Sequence, residues 1–193
     1  MRDFRKRRGQ LRTLDATARA LHSVFLLFIL AGLAVASLLY SDGPTLDPAA
    51  AERYYAGGTL PAAAAPAAPA AEGEIVFDLP PELAVTRVEP MNQRRLIELT
   101  HGHLFVMPLI WLTVAHLFAL AGFGLRLTQA AVFGGAAAVA LHIAAPWIIR
   151  SVAGTGWLMP LSGIGLLLTL GGMAVATLVE LWRLPAANEQ PGA

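Results

Sequence analysis

The chain has no cysteine among its 193 residues. This absence excludes disulfide frameworks, cysteine-based zinc sites, iron–sulfur clusters, thiol nucleophiles and covalently attached c-type haem. Charged residues are also few, at 14% of the chain, against about 25% in an average soluble domain. Because 56% of the residues are hydrophobic, the composition favours a membrane protein over a soluble one.

The motifs of several enzyme classes are also missing. The sequence contains no His-Glu-x-x-His zinc motif, no glycine-rich phosphate loop and no serine nucleophile elbow. The apolar stretches hold no carboxylate near their centres, where a proton-coupled or cation-coupled transporter normally keeps one. Glu180 lies only at the inner end of the last stretch. We therefore expect neither a transporter nor an enzyme that acts alone.

Four apolar stretches are long enough to cross a membrane, which takes about 20 residues in a helix. Short links join the last three, so these helices form an antiparallel series. The predicted fold is all-α, a four-helix transmembrane bundle with one extended outer loop over residues 41–100. The predicted membrane helices cover residues 21–40, 102–124, 128–149 and 157–179.

The first stretch has a second interpretation, as a cleaved signal peptide. Residues 34–36 read Ala-Val-Ala, which fits a cleavage site that would remove residues 1–36. The apolar run continues to Tyr40, however, and the charged region before it is long. These two features favour an uncleaved membrane anchor.

The charges are unevenly distributed and predict the orientation. Residues 1–20 hold seven basic and two acidic residues, whereas residues 41–100 hold four basic and nine acidic ones. Basic flanks remain on the cytoplasmic side. We therefore expect a multi-pass protein of a bacterial-type inner membrane, with the basic tail 1–20 and the tail 180–193 in the cytoplasm. The basic tail is explained by this topology, so no nucleic-acid partner is expected.

The outer segment offers little for an independent core. Residues 60–71 are almost entirely Pro and Ala and predict a linker. Residues 54–58 predict a turn or a small docking element, and short strands are expected over 75–79 and 84–88. Residues 91–100 have helical spacing and lead into the second membrane helix. The segment could lie extended on the membrane, or order by docking on an extracytoplasmic partner.

All five histidines fall within or at the edge of the predicted membrane helices. Ionisable groups inside a bilayer are costly and mark functional sites, and a neutral imidazole is an axial ligand of haem iron. A plainer interpretation is a neutral ring bonded to a neighbouring helix, or one lying at the headgroup level. The five are His22, His101, His103, His116 and His142.

The topology sorts the histidines into two layers. His22 can pair with His116 in the inner half, and His101 or His103 can pair with His142 in the outer half. This layout resembles the bis-histidine b-type membrane cytochromes in its four helices and histidine positions, without a matching family motif. The resemblance implies one or two b-type haems between the helices. It implies an electron-transfer protein or subunit whose partners include quinone and a periplasmic electron carrier.

Ideal helix geometry leaves the ligand choice open. From the predicted helix centres, His103 lies about 14 Å outward and His142 about 5 Å, so their depths differ by about 9 Å. His101 shares a better face with His116 but lies still further out. Trp111, which is mid-membrane, is expected to contact another helix or a ligand.

Two other functions remain open. The chain could be a non-catalytic accessory or assembly subunit that docks on a larger membrane complex through its periplasmic segment. It could also carry an outer-face metal site at His101 and His103, with Glu98 nearby. Residues two apart on a helix diverge by about 200°, so these imidazoles can share an ion only if the helix begins at Gly102.

Overall fold

The structure is a computed structural model, and it describes residues 10–43, 45–60 and 86–183. A 3₁₀ helix over Gln10–Thr13 precedes the first long helix. The elements that follow are α1 (Ala16–Asp42), α2 (Pro48–Ala56), β1 (Gly58–Leu60), β2 (Thr86–Val88), α3 (Gln93–Leu120), α4 (Leu125–Ser151) and α5 (Leu158–Trp182).

Helices α1, α3, α4 and α5 are long and apolar enough to cross a membrane. The prediction of an all-α, four-helix membrane bundle is thereby confirmed. The largest difference in bounds is at α3, which begins at Gln93 rather than near residue 102. The helical stretch predicted over 91–100 is part of the same continuous helix.

Side-chain caps explain where three of the helices begin. Asp15 accepts a hydrogen bond from the Ala18 amide at 2.7 Å, and Asn92 accepts one from the Arg94 amide at 2.8 Å. Asp47 accepts from the Ala49 amide at 3.0 Å, with Pro48 at the first helical position. Each cap satisfies an amide that has no partner within the first turn.

The larger apolar core lies towards the end of the bundle that carries the chain's N-terminal 3₁₀ helix. Helices α1 and α3 pack there on the second half of α5, whereas α4 packs on α3 and on the first half of α5. Leu11 of the 3₁₀ helix is buried beneath this end of the bundle. The shared core includes Leu26, Val114, Phe118, Met173 and Leu181.

The described part of the outer segment folds over the opposite end of the bundle. We call α2, the two-stranded sheet and the turn before α3 (residues 45–60 and 86–92) the cap. The strands pair antiparallel, with Gly58 opposite Val88 and Leu60 opposite Thr86. Helix α2 packs on α4 and α5 through a second apolar cluster that includes Ala51, Tyr55, Leu96, Ile149 and Met159.

Hydrogen bonds hold the cap to the ends of α4 and α5. Arg150 donates from Nη1 to the Met91 carbonyl at 2.6 Å, and the Gly154 amide donates to Glu52 Oε1 at 2.7 Å. A strand forms over Thr86–Val88, within the predicted range 84–88. The helix Pro48–Ala56 has no counterpart among the sequence predictions. Residues 61–71 of the predicted linker and the strand predicted over 75–79 lie outside the described residues.

Candidate functional site

A cavity of about 790 Å³ lies between α1 and α3 at the cap end of the bundle. Helix α5 forms its back wall, and His142 of α4 lies at its floor. A π-helical turn over Leu167–Gly171 interrupts α5 along this wall. The lining is mostly apolar and includes Leu33, Ala36, Val106, Met107, Ile164 and Leu170.

Two histidines from different helices meet in this cavity. The ring centroids of His103 on α3 and His142 on α4 are 5.9 Å apart, and the ring planes are inclined at 47°. Both side chains line the cavity and both are half-buried. The structure therefore brings together His103 and His142, one of the pairs considered from the sequence, whereas His101 does not contact His142.

Hydrogen bonds orient both rings through the same ring nitrogen. His103 Nδ1 lies 2.7 Å from the Leu99 carbonyl oxygen, one turn earlier on α3. His142 Nδ1 lies 3.0 Å from Ser162 Oγ on α5. A carbonyl only accepts, so the Nδ1 of His103 carries the proton, and in a neutral ring its Nε2 is left with a lone pair. Imidazoles that ligate a metal are commonly held in this way.

Tyr40 fixes the end of α1 beside this pair. Its hydroxyl donates to the Met159 carbonyl oxygen at 3.0 Å, and its ring centroid is 6.0 Å from that of His142. The ring lies against Gly163, where a Cβ atom would come within 2.7 Å of it. Only a glycine at position 163 allows so close an approach between α1 and α5.

The cap covers the histidine pair from above. A smaller cavity of about 170 Å³ lies between them, lined by Thr45 and Tyr55 on the cap side and by both histidines. Burial raises the pKa of Tyr55, because an apolar environment disfavours its phenolate form.

At the rim of the larger cavity, Glu98 accepts a hydrogen bond from Arg94 Nε at 3.0 Å.

His101 lies apart from the pair. It is exposed, and its ring makes an edge-on contact with Phe105 at 5.0 Å between centroids. Helix α3 runs unbroken through Gly102, so His101 and His103 project in different directions. In residues 10–43, 45–60 and 86–183, no group of three or more His, Asp or Glu side chains could hold a metal ion.

The inner histidines are not assembled into a comparable site. His22 is half-buried, and its Nδ1 lies 2.6 Å from the Ala18 carbonyl on its own helix. His116 is exposed, whereas its neighbours Ala115 and Leu117 are buried. Its ring therefore points away from the bundle. Within the described part of the chain, the rings of His22 and His116 make no contact with each other.

Trp111 contacts another helix, which was one of its two predicted roles. Its indole nitrogen donates to the Val132 carbonyl oxygen at 3.1 Å. A Cβ atom at Gly135 would lie 3.0 Å from the Trp111 ring. The tryptophan therefore joins α3 to α4 and does not line the cavity described above.

Sequence reasoning did not find Ser162, Tyr40 or Tyr55 as members of the site. Ser162 is a single hydroxyl in an uncharged apolar stretch, and Tyr40 is indistinguishable from an ordinary interfacial aromatic residue. The one available signal was the adjacent Gly163, which is typical of close helix packing.

Comparison with known proteins gives a family and no activity. The model of a family described as a transmembrane helical domain matches residues 45–189, which is 145 of the 193 residues. No curated protein matches the chain, and no solved structure matches it.

Proposed function

We propose that this chain, which belongs to the Aq_1264_TM family of transmembrane helical domains, binds one b-type haem between His103 and His142 and transfers electrons in the membrane. The observation that carries this proposal is the 5.9 Å separation of the two rings on the wall of one apolar cavity. Both rings have Nδ1 engaged by a hydrogen bond, which leaves Nε2 for a ligand.

The distance between the His103 and His142 ring centroids is suitable for two ligands of one iron atom. An iron bound by one nitrogen of each imidazole at about 2 Å would set the ring centres about 6 Å apart. The cavity volume of about 790 Å³ is within the range of about 300–1,000 Å³ for cofactor sites. A bare ion held by two imidazoles would need no such apolar volume. The absence of cysteine is compatible with a b-type haem, which is held without covalent attachment.

His103 and His142 lie at nearly the same depth along the bundle when the helix bounds of the structure are used. From the centre of Gln93–Leu120, His103 lies about 5 Å towards the cap end, and from the centre of Leu125–Ser151, His142 lies about 6 Å in the same direction. A single haem at this level is supported. The inner pair of His22 and His116 lacks the corresponding support, because His116 points outward.

The location of the cavity suggests which molecules exchange electrons with the proposed haem. The cavity lies between α1 and α3, and the apolar side chains of Leu39 and Val106 at its edge are exposed on the bundle surface. A membrane-diffusing quinone could therefore approach from the bilayer. On the uneven charges of the two flanks we place the termini in the cytoplasm of a bacterial-type inner membrane. The cap then faces the periplasm, where a soluble electron carrier could dock.

The test is a visible spectrum of the full-length protein purified in detergent after expression with an adequate haem supply. We expect a sharp b-type band in the reduced-minus-oxidised spectrum and about one haem per chain by the pyridine haemochrome assay. A colourless protein would overturn the proposal. A stoichiometry of two would support the haem assignment but contradict its restriction to one layer.

A second candidate function is an accessory subunit of a larger membrane complex. The observation that favours it is the outward direction of His116, because an imidazole facing lipid is costly and is commonly satisfied by another helix. A photoreactive amino acid at position 116 should then crosslink to a membrane protein in native membranes. The matched control is Phe133, which is 70% exposed on α4; equal labelling from both positions would contradict this function.

A further inference from the structure

Ser162, which contacts the His142 ring, is almost completely buried, with 1% of its surface exposed. It lies on α5, in the first part of the helix, and contacts His142 on α4 across the helix interface. Burying a hydroxyl costs free energy unless its hydrogen-bonding capacity is used. Its hydrogen-bond partners therefore define what the hydroxyl does in the site.

Ser162 has a carbonyl acceptor for its proton on its own helix. Its Oγ donates to the Met159 carbonyl oxygen at 2.9 Å, and that oxygen can only accept. A hydroxyl has one proton, so while Ser162 donates to this carbonyl it can interact with His142 only as an acceptor. In that arrangement the Nδ1 of His142, 3.0 Å away, carries the proton. In a neutral imidazole this leaves the lone pair on Nε2.

We propose that Ser162 is the positioning residue of His142: its hydroxyl oxygen accepts the Nδ1 proton and so presents the Nε2 lone pair as the ligand atom. The ligand part of this statement rests on the proposed haem function, whereas the choice of tautomer does not. His103 also carries its proton on Nδ1, but the acceptor is the Leu99 carbonyl oxygen of its own helix. The ring of His142 is instead oriented by a different helix.

This arrangement links the ligand to α1. The Met159 carbonyl oxygen accepts from Ser162 and also from Tyr40 on α1. The two hydroxyls therefore converge on one acceptor at the start of α5. The ring of Tyr40 against Gly163 keeps α1 in place at the same level. Three helices thus define the direction of a single imidazole.

The first test measures the tautomer directly and needs no haem. The full-length protein is labelled with ¹⁵N-histidine and purified without haem, and the protonated and unprotonated ring nitrogens are distinguished by NMR. We expect His142, assigned by its loss in His142→Ala, to carry its proton on Nδ1. In Ser162→Ala the signal should move towards the Nε2-protonated form, and in Ser162→Thr it should return.

The matched control is Thr177→Val, which removes another buried hydroxyl from α5. Thr177 is completely buried, and its Oγ1 donates to the Met173 carbonyl of its own helix at 2.7 Å. This variant should leave the His142 signal unchanged. An Nε2-protonated His142 in the unaltered protein, or an unchanged signal in Ser162→Ala, would overturn the proposal.

The second test titrates the same variants with haemin. Removing a group that orients a metal ligand typically lowers the affinity for the metal about 10- to 100-fold. We expect a loss of haemin affinity of this size for Ser162→Ala, with recovery in Ser162→Thr. If the unaltered protein binds no haemin but its tautomer responds to Ser162→Ala, the haem function fails and the positioning role stands. If haemin binds equally to both proteins and the tautomer does not respond, the positioning role fails alone.

Discussion

His103 and His142 lie on different helices, yet their ring centroids are 5.9 Å apart on the wall of one cavity. Each ring has its Nδ1 engaged, one by the Leu99 carbonyl of the same helix and the other by Ser162 of α5. The membrane helices α3, α4 and α5 thus contribute to one oriented pair of imidazoles. In the function that we propose, this pair holds a b-type haem.

The contact between Tyr40 and Gly163 gives a first prediction. In Gly163→Ala the new Cβ atom would lie 2.7 Å from the Tyr40 ring, so the ring, or α1 together with it, must shift away from α5. We expect a loss of about 1–3 kcal/mol in the free energy of unfolding, together with weaker ligand binding at the neighbouring His142. Thermal unfolding in detergent and haemin titration measure the two effects.

Gly165→Ala on the same helix is the control for this change. Its new Cβ atom would lie 3.5 Å from the Ala138 side chain, which is an ordinary contact distance. We expect this variant to unfold at nearly the temperature of the unaltered protein. Equal destabilisation by both substitutions would show that the Tyr40 contact has no special role.

The contact between Trp111 and Gly135 gives a second prediction, at the interface of α3 and α4. A Cβ atom at Gly135 would approach the Trp111 ring to 3.0 Å, which strains the hydrogen bond from the indole to the Val132 carbonyl. Gly135→Ala should therefore destabilise the protein by about 1–3 kcal/mol. The adjacent Gly134→Ala, whose Cβ would lie 3.8 Å from Thr169, should be nearly neutral.

Tyr55 predicts how the stability depends on pH. Burial raises its pKa in the folded protein above the ordinary value of about 10. Above that pH the unfolded chain loses the proton while the folded protein keeps it, so the free energy of unfolding falls as the pH rises further. We expect the melting temperature to fall as the pH rises above about 10, the ordinary pKa of tyrosine.

The contribution of Tyr55 is separated from other alkaline effects by substitution. Tyr55→Phe has no phenolic proton to lose, so its melting temperature should fall less over the same pH range. Tyr54→Phe, one residue earlier in α2, leaves Tyr55 in place. Its melting temperature should fall with pH as steeply as that of the unaltered protein. If the slopes of all three proteins coincide, the contribution of Tyr55 is refuted.

The absence of cysteine makes the orientation directly testable. A single cysteine introduced at Thr59, which is exposed on strand β1 of the cap, should react with a membrane-impermeant maleimide in spheroplasts. A cysteine at Gly124, exposed in the link between α3 and α4, should react only after the membrane is disrupted. The reverse pattern would invert the orientation inferred from the charges.

Hydropathy and helix spacing were sufficient to predict the four membrane helices, because length and apolar composition determine whether a helix can cross a bilayer. The position of His103 was predicted less well. The sequence placed the start of the second membrane helix near residue 102, and α3 begins at Gln93. That earlier start shifts the helix centre and removes the apparent difference in depth between His103 and His142.

The cap and the support of His142 could not be predicted by the same reasoning. Helix α2 is short and rich in alanine. Its position is stabilised by Ala51 and Tyr55, which pack on the ends of other helices. Ser162 and Tyr40 are single polar residues whose partners are distant in sequence. Such contacts depend on which helix faces which, and one sequence without a motif does not specify that.

The central claim is tested most directly by comparing the reduced-minus-oxidised spectra of four histidine variants of the full-length protein. His103→Ala and His142→Ala should each lose the b-type band, because each removes one of the two proposed iron ligands. His101→Ala and His116→Ala should keep it, because both side chains are exposed outside the cavity. A band that survives in His103→Ala and His142→Ala but disappears in His116→Ala would contradict the assignment of the site.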